Sequence, residues 1–139
     1  MIGTTGSRIN GVRVPSSLTT PEASDLQRLF ATMRDDGVHR IVMEVSSHSL
    51  LLGRVGGTRF RIGAFLNLSQ DHLDFHHTME EYFQAKARLF TKDSGTCCDR
   101  AVICIDDSWG LRMRDIAEAS GCTPVTVSTT GNADYSAGP

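Results

Sequence analysis

Arg61-Ile62-Gly63-Ala64-Phe65-Leu66-Asn67-Leu68-Ser69-Gln70-Asp71-His72-Leu73-Asp74-Phe75-His76-His77-Thr78 is the stretch from which the fold is read. Its first eight residues predict a strand, since a short apolar run that ends in polar residues suits a buried sheet position. In open α/β sheets ligands sit beyond the carboxyl ends of the strands. His72 and Asp74 are therefore expected at a functional end of the sheet. Thr78 and Glu81 then form a capping box for a helix reaching about Phe90, with Met79, Tyr82, Phe83, Ala85 and Leu89 as its apolar stripe.

Outward from this stretch, strand and helix signals alternate. Downstream, residues 101–105 predict a strand, 111–120 a helix stopped by Gly121, and 125–127 a last strand. Upstream, Ser24 caps a helix whose Leu26, Leu29, Phe30 and Met33 recur at helical spacing, with Gly37 as its stop. Residues 40–45 (Arg-Ile-Val-Met-Glu-Val) read as a buried strand, and Ser46 or Ser47 opens a short helix through Leu52, ended by Gly53. The alternation predicts an α/β fold, a mostly parallel sheet with helices on both faces. Residues 1–23 read as a loop or partial strand, 24–128 as the α/β core and 129–139 as a frayed tail.

The chain has 139 residues, 40% of them hydrophobic, which suits one domain. Fourteen basic against sixteen acidic residues give a net charge of -2, without the clustered cations of a nucleic-acid face. No basic leader precedes an apolar run and no stretch is long enough to span a bilayer, so a cytoplasmic protein without membrane insertion is expected. Cys97, Cys98, Cys104 and Cys122 contain no C-x-x-C and read as reduced thiols.

Several residues carry chemistry. Glu44 ends a run of apolar residues, where a carboxylate is either paired, bound to a cation, or already emerging into solvent. His72, Asp74, His76 and His77 are imidazole and carboxylate donors for a divalent metal, although a surface loop with several histidines is also common. Lys86 is either a solvated helix lysine or an amine kept neutral by burial. Such an amine adds carbon dioxide and becomes an anionic oxygen ligand. Thr19 and Thr20, beside a helix start, offer hydroxyls to phosphate or carboxylate oxygens, or simply form a turn. Arg54 is placed to bind an anion or to stay a solvated loop residue.

In order, Leu18-Thr19-Thr20-Pro21-Glu22, Met43-Glu44-Val45-Ser46-Ser47-His48, Gly53-Arg54-Val55, Asn67 to His76 and Tyr82 with Lys86 four residues on resemble the central domain of the Mur ligase family. The likeness is strongest to the branch that adds the third peptide residue to UDP-N-acetylmuramoyl-L-alanyl-D-glutamate in peptidoglycan synthesis. The resemblance implies that Thr19, Thr20, Ser46 and Arg54 contact the UDP-N-acetylmuramoyl-dipeptide. It also implies that Glu44, His72 and a carbamylated, catalytic Lys86 hold magnesium ions, with ATP and an amino acid, meso-diaminopimelate or lysine, as co-substrates. In that family the γ-phosphate of ATP activates the substrate carboxylate as an acyl phosphate, which the incoming amine attacks.

The sequence also departs from that family. The glycine-rich loop ending in Gly-Lys-Thr-Thr has no counterpart, because Val12-Arg13 follows Gly6 to Gly11. The expectation is an incomplete central domain lacking the P-loop strand and helix, a fragment inactive alone and prone to self-association. Two rival readings are a non-catalytic module that binds precursor or metal, and a small metal-dependent hydrolase using His72, Asp74 and His76.

Overall fold

The computed structural model describes residues 1–137. Its helices and strands fall into two compact units, Met1–Gly56 and Gly57–Pro139.

The first unit opens on a hairpin of β1 (Ser7–Ile9) and β2 (Val12–Val14), paired antiparallel with Ser7 opposite Val14 and Ile9 opposite Val12. Of the two readings of residues 1–23, loop or partial strand, the strand is what residues 7–14 form. Asn10 and Gly11 take φ of 48° and 87°, the two positive values that a type I′ turn needs and that Asn-Gly supplies at low cost. Helix α1 (Ala23–Asp35) starts earlier than expected, with Glu22 rather than Ser24 at the cap position and no side-chain cap bond. Its end follows the glycine expectation. Gly37 has φ 74°, its N–H donates to Arg34 O, and Val38 N–H donates to Met33 O, the paired bonds of a Schellman motif. Leu26 and Met33 are buried.

Residues 40–45 do not form the expected buried strand. Pairing is confined to a parallel bridge between Met43 and Ile2, and Val42 is 73% exposed. The partner segment turns back at once, Gly6 N–H donating to Gly3 O, so nothing continues the ladder past Ile2. Helix α2 (Ser47–Leu51) follows, capped by Ser46, whose side chain accepts from Ser49 N–H.

The second unit holds a four-stranded parallel sheet in sequence order: β3 (Ile62–Phe65), β4 (Arg100–Cys104), β5 (Val125–Ser128) and β6 (Tyr135–Ser136). The expected α/β class and parallel pairing are what the structure has. Strand β6 lies in the stretch read as a frayed tail: Asp134 accepts from Thr126 N–H and Oγ1, which lays the chain alongside β5. The histidine loop contains a short helix, α3 (Leu73–His76). Between β3 and β4 comes α4 (Met79–Ala87), where Thr78 Oγ1 accepts from Glu81 N–H at 3.1 Å. Between β4 and β5 comes α5 (Ser108–Ala119), capped by Asp107 and so begun before Leu111.

Phe65, Phe83, Phe90, Ile103, Met113 and Ala117 make the core of this unit. Phe65 meets Phe90 edge-on at 6.5 Å, and the Arg112 guanidinium caps both Phe83 and Trp109. Gly110 lets α5 approach β4, because a Cβ there would stand 2.0 Å from the Cys104 carbonyl oxygen. Among the described residues no helix is long and apolar enough to cross a membrane.

Candidate functional site

In the first unit the site is built around Glu44. Ile2 N–H donates to Val42 O, and Glu44 N–H donates back to Ile2 O, each at 2.9 Å, which fixes the backbone on either side of the bridge. The turn from Gly3 to Gly6 then carries Thr4 over the carboxylate. Thr4 Oγ1 donates to Glu44 Oε2 at 2.6 Å, and Thr4 N–H donates to the same oxygen at 3.2 Å. Gly3 lies close on the other oxygen, since a Cβ there would be 2.5 Å from Oε1. Glu44 is thus exposed, as the emerging-strand reading expected, yet its carboxylate is held by named partners.

Thr19 and Thr20 do different jobs. Thr20 is 1% exposed; its Oγ1 donates to Glu44 O at 2.9 Å and accepts from Ser46 N–H at 3.1 Å. That hydroxyl is occupied in joining the Glu44 and Ser46 backbones. Thr19 Oγ1 instead lies 3.1 Å from Thr4 Oγ1. The Ser46 hydroxyl caps α2. Arg54, with 17% of its side chain exposed, brings Nε to 2.9 Å from Glu22 Oε1. The contact is ionic but misaligned, for Arg54 Nε is buried without a hydrogen bond. A cleft of about 670 Å³ lined by Arg13, Ser16, Leu18, Glu22 and Arg28 shares Glu22 with that pair, and neither Thr19 nor Glu44 lines it.

In the second unit the centre is the Tyr82 ring. Tyr82 and Lys86 stand four apart on α4, so their side chains share a face. Lys86 Nζ lies 5.0 Å from the ring centroid. The His72 ring meets Tyr82 edge-on at 5.9 Å, and His76 stacks on it at 5.0 Å and 25°. His72 has φ 55°, and its N–H donates to Asp71 Oδ1 at 2.8 Å. This holds the chain in a left-handed conformation that few non-glycine residues adopt. Asp71 Oδ2 also lies 3.5 Å from His72 Nε2. Burial lowers the pKa of the Lys86 amine, against an opposing pull from the Asp71 carboxylate; burial raises that of the Tyr82 phenol, and Asp71 adds to it.

The histidine loop does not form the metal group of the hydrolase reading. His76 is 2% exposed and stacked, Asp74 is exposed on α3, and no trio of His, Cys, Asp or Glu suited to a metal occurs among the described residues.

The family model described as Mur ligase middle domain matches residues 1–138. The chain belongs to the Mur ligase family. Curated relatives of this middle domain include the UDP-N-acetylmuramoyl-L-alanyl-D-glutamate--2,6-diaminopimelate ligases of Corynebacterium glutamicum and Streptomyces coelicolor. The first is 59% identical over 138 residues, covering 99% of this chain and 26% of the relative. The second is 47% identical over 134 residues, covering 96% and 25%. A solved structure titled as a ligase of the same name superposes with a TM-score of 0.83 at 38% identity, over 97% of this chain and 27% of that one. The chain therefore spans about a quarter of the length of the curated relatives it matches.

Against the expected residue set, Glu44, Thr19, Thr20 and Ser46 of this Mur ligase domain are joined in one hydrogen-bonded network, with Arg54 tied to Glu22. His72 and Lys86 share the Tyr82 ring. Two members were missed: Thr4, whose signal was the turn-forming Gly-Thr-Thr-Gly spacing, and Asp71, the carboxylate that orients His72. Taken unit by unit, an oxygen donor of the kind a hard divalent cation takes stands in the first, and a buried amine in the second. In the first unit Glu44 offers a carboxylate with two hydrogen bonds on one oxygen, and in the second Lys86 is an amine whose burial favours the neutral form that carbamylation requires.

Proposed function

We propose that this chain supplies the precursor- and cation-holding part of an ATP-dependent ligase. The enzyme joins 2,6-diaminopimelate to UDP-N-acetylmuramoyl-L-alanyl-D-glutamate during peptidoglycan synthesis in the cytoplasm. The relatives of Corynebacterium glutamicum and Streptomyces coelicolor are diaminopimelate ligases, which supports this reaction and the choice of diaminopimelate over lysine. The observation in the structure that best supports the reading is the setting of Lys86, a half-buried amine over the Tyr82 ring with its pKa lowered by desolvation. Nothing about a solvated helix lysine calls for that setting.

On this reading Glu44 is a magnesium ligand of the first unit, and His72 and carbamylated Lys86 are magnesium ligands of the second. Once bound, the ions would neutralise the gathered phosphates of ATP and the activated carboxylate. The chain's own residues do the positioning. Thr4 and Gly3 fix the Glu44 carboxylate, and Asp71 holds His72 in its left-handed conformation. Thr20 keeps Glu44 and Ser46 in register. Arg54, whose Nε has no hydrogen bond of its own, offers its guanidinium to a carboxylate of the muramoyl dipeptide.

The test is ligation in the protein that carries this chain, supplied with ATP, the muramoyl dipeptide and either diaminopimelate or lysine. ATP-dependent tripeptide formation with diaminopimelate is expected. Preference for lysine would overturn the choice of amino acid, and no ATP-dependent product with either would overturn the ligase reading.

A further inference from the structure

Thr4 touches both a proposed cation ligand and a proposed precursor contact, and its bonds have a direction. A hydroxyl has one proton. An ionised carboxylate only accepts, so the 2.6 Å contact from Thr4 Oγ1 to Glu44 Oε2 uses that proton. In the 3.1 Å contact between Thr4 and Thr19, Thr4 must then accept and Thr19 must donate. The remaining valence of the Thr19 hydroxyl is therefore its lone pairs. Thr19 is set to receive an N–H or O–H, not to grip a phosphate or carboxylate oxygen as its residue type alone suggested.

We infer that Thr4 is a positioning residue that orders a proton chain from Thr19 through Thr4 to Glu44, so that Thr19 recognises a hydrogen-bond donor of the precursor and its binding is coupled to that of the cation on Glu44. This rests on reading Glu44 as a cation ligand and Thr19 as a precursor contact. The chemistry of the recognised group is an amide N–H or a sugar hydroxyl. The coupling follows from the shared hydroxyl: whatever rotates Thr4 away from Glu44 also removes the acceptor that orients Thr19. Gly3 reinforces the arrangement, because the carboxylate lies where a Cβ would stand.

The experiment compares Thr4→Val, Thr4→Ser, Thr19→Val and the double variant Thr4→Val/Thr19→Val in the ligase that carries this chain, with Glu44→Gln as reference. The measurements are Mn²⁺ affinity by electron paramagnetic resonance without turnover, the Mg²⁺ concentration for half-maximal rate, and KM for the muramoyl dipeptide. Loss of a partner that orients a metal ligand costs roughly 10- to 100-fold in affinity. Thr4→Val is expected to weaken Mn²⁺ binding by about 10-fold and raise the precursor KM with kcat less affected, while Thr4→Ser restores both. Thr19→Val should raise KM alone, and adding it to Thr4→Val should cost little more. If Thr4→Val folds poorly, an unaltered precursor KM in Thr19→Val overturns the donor-recognition claim by itself. Wild-type Mn²⁺ affinity in Thr4→Val, with affinity lost in Glu44→Gln, would overturn the role of Thr4 alone. Wild-type Mn²⁺ affinity in Glu44→Gln would remove the cation reading of Glu44 and this inference with it.

Discussion

Lys86 shows how one residue's role is set by its surroundings rather than its type. On α4 its amine lies over the Tyr82 ring, and burial shifts it toward the neutral form. If the neutral amine carries a carbamate, Lys86→Ala in the ligase should cut turnover by about 100-fold, and added formate or acetate should partly restore it by filling the vacated oxygen position. Lys86→Arg should fail equally, since a guanidinium keeps its charge and cannot form a carbamate. A lysine serving only as a solvated helix residue predicts that both substitutions are silent, with stability changes of about 0.5 kcal/mol or less. Full turnover of Lys86→Ala at low bicarbonate would end the carbamate reading.

At the scale of elements, the contact of α5 with β4 is set by Gly110 and the carboxyl ends of β4 and β5 are joined by Asp106. Gly110→Ala forces a methyl group into the Cys104 carbonyl, a clash of backbone that no rotamer relieves. The expected cost is about 3 kcal/mol, at the upper end of overpacking, read as a lower denaturant midpoint with an unchanged slope. Asp106 accepts from Ser128 Oγ, Thr129 N–H and Thr129 Oγ1, and these donors hold its carboxyl well below the usual carboxylate range. A folded-state pKa depressed in this way contributes stability above the unfolded value of about 3.9, and that contribution is lost as pH falls. Asp106→Asn should therefore be less stable than the parent at pH 7, and the gap should narrow between about pH 4 and pH 2. A gap independent of pH would mean that the side chain acts through shape and not through its charge.

At the scale of the whole molecule, Val42 and Leu52 in the first unit and Ile62 and Leu66 in the second remain largely exposed, at 73%, 57%, 60% and 70%. Exposed apolar side chains of this size, three of them on or beside strand segments and Leu52 at the end of α2, favour association. The purified chain should run as dimers or larger species in light scattering at micromolar concentration, and a stable monomer would contradict this. The α/β class was legible in the sequence because buried strands and capped helices leave local signals: the apolar run of β3, the Thr78 cap, the glycine stops. The residue set of the site was legible only as types in order. Asn10-Gly11 also announced its hairpin locally, within the stretch read as a loop or partial strand. What only the tertiary structure decided was pairing and direction. Residues 40–45 have the composition of a buried strand but one bridge to Ile2, Thr20 is spent on backbone while Thr19 is not, and His76 stacks on Tyr82 instead of offering a ligand. The physical reason is that local propensity fixes where each side chain lies along its own element, whereas hydrogen-bond valence and burial are settled by groups distant in sequence, as Thr4 settles Glu44 across forty residues.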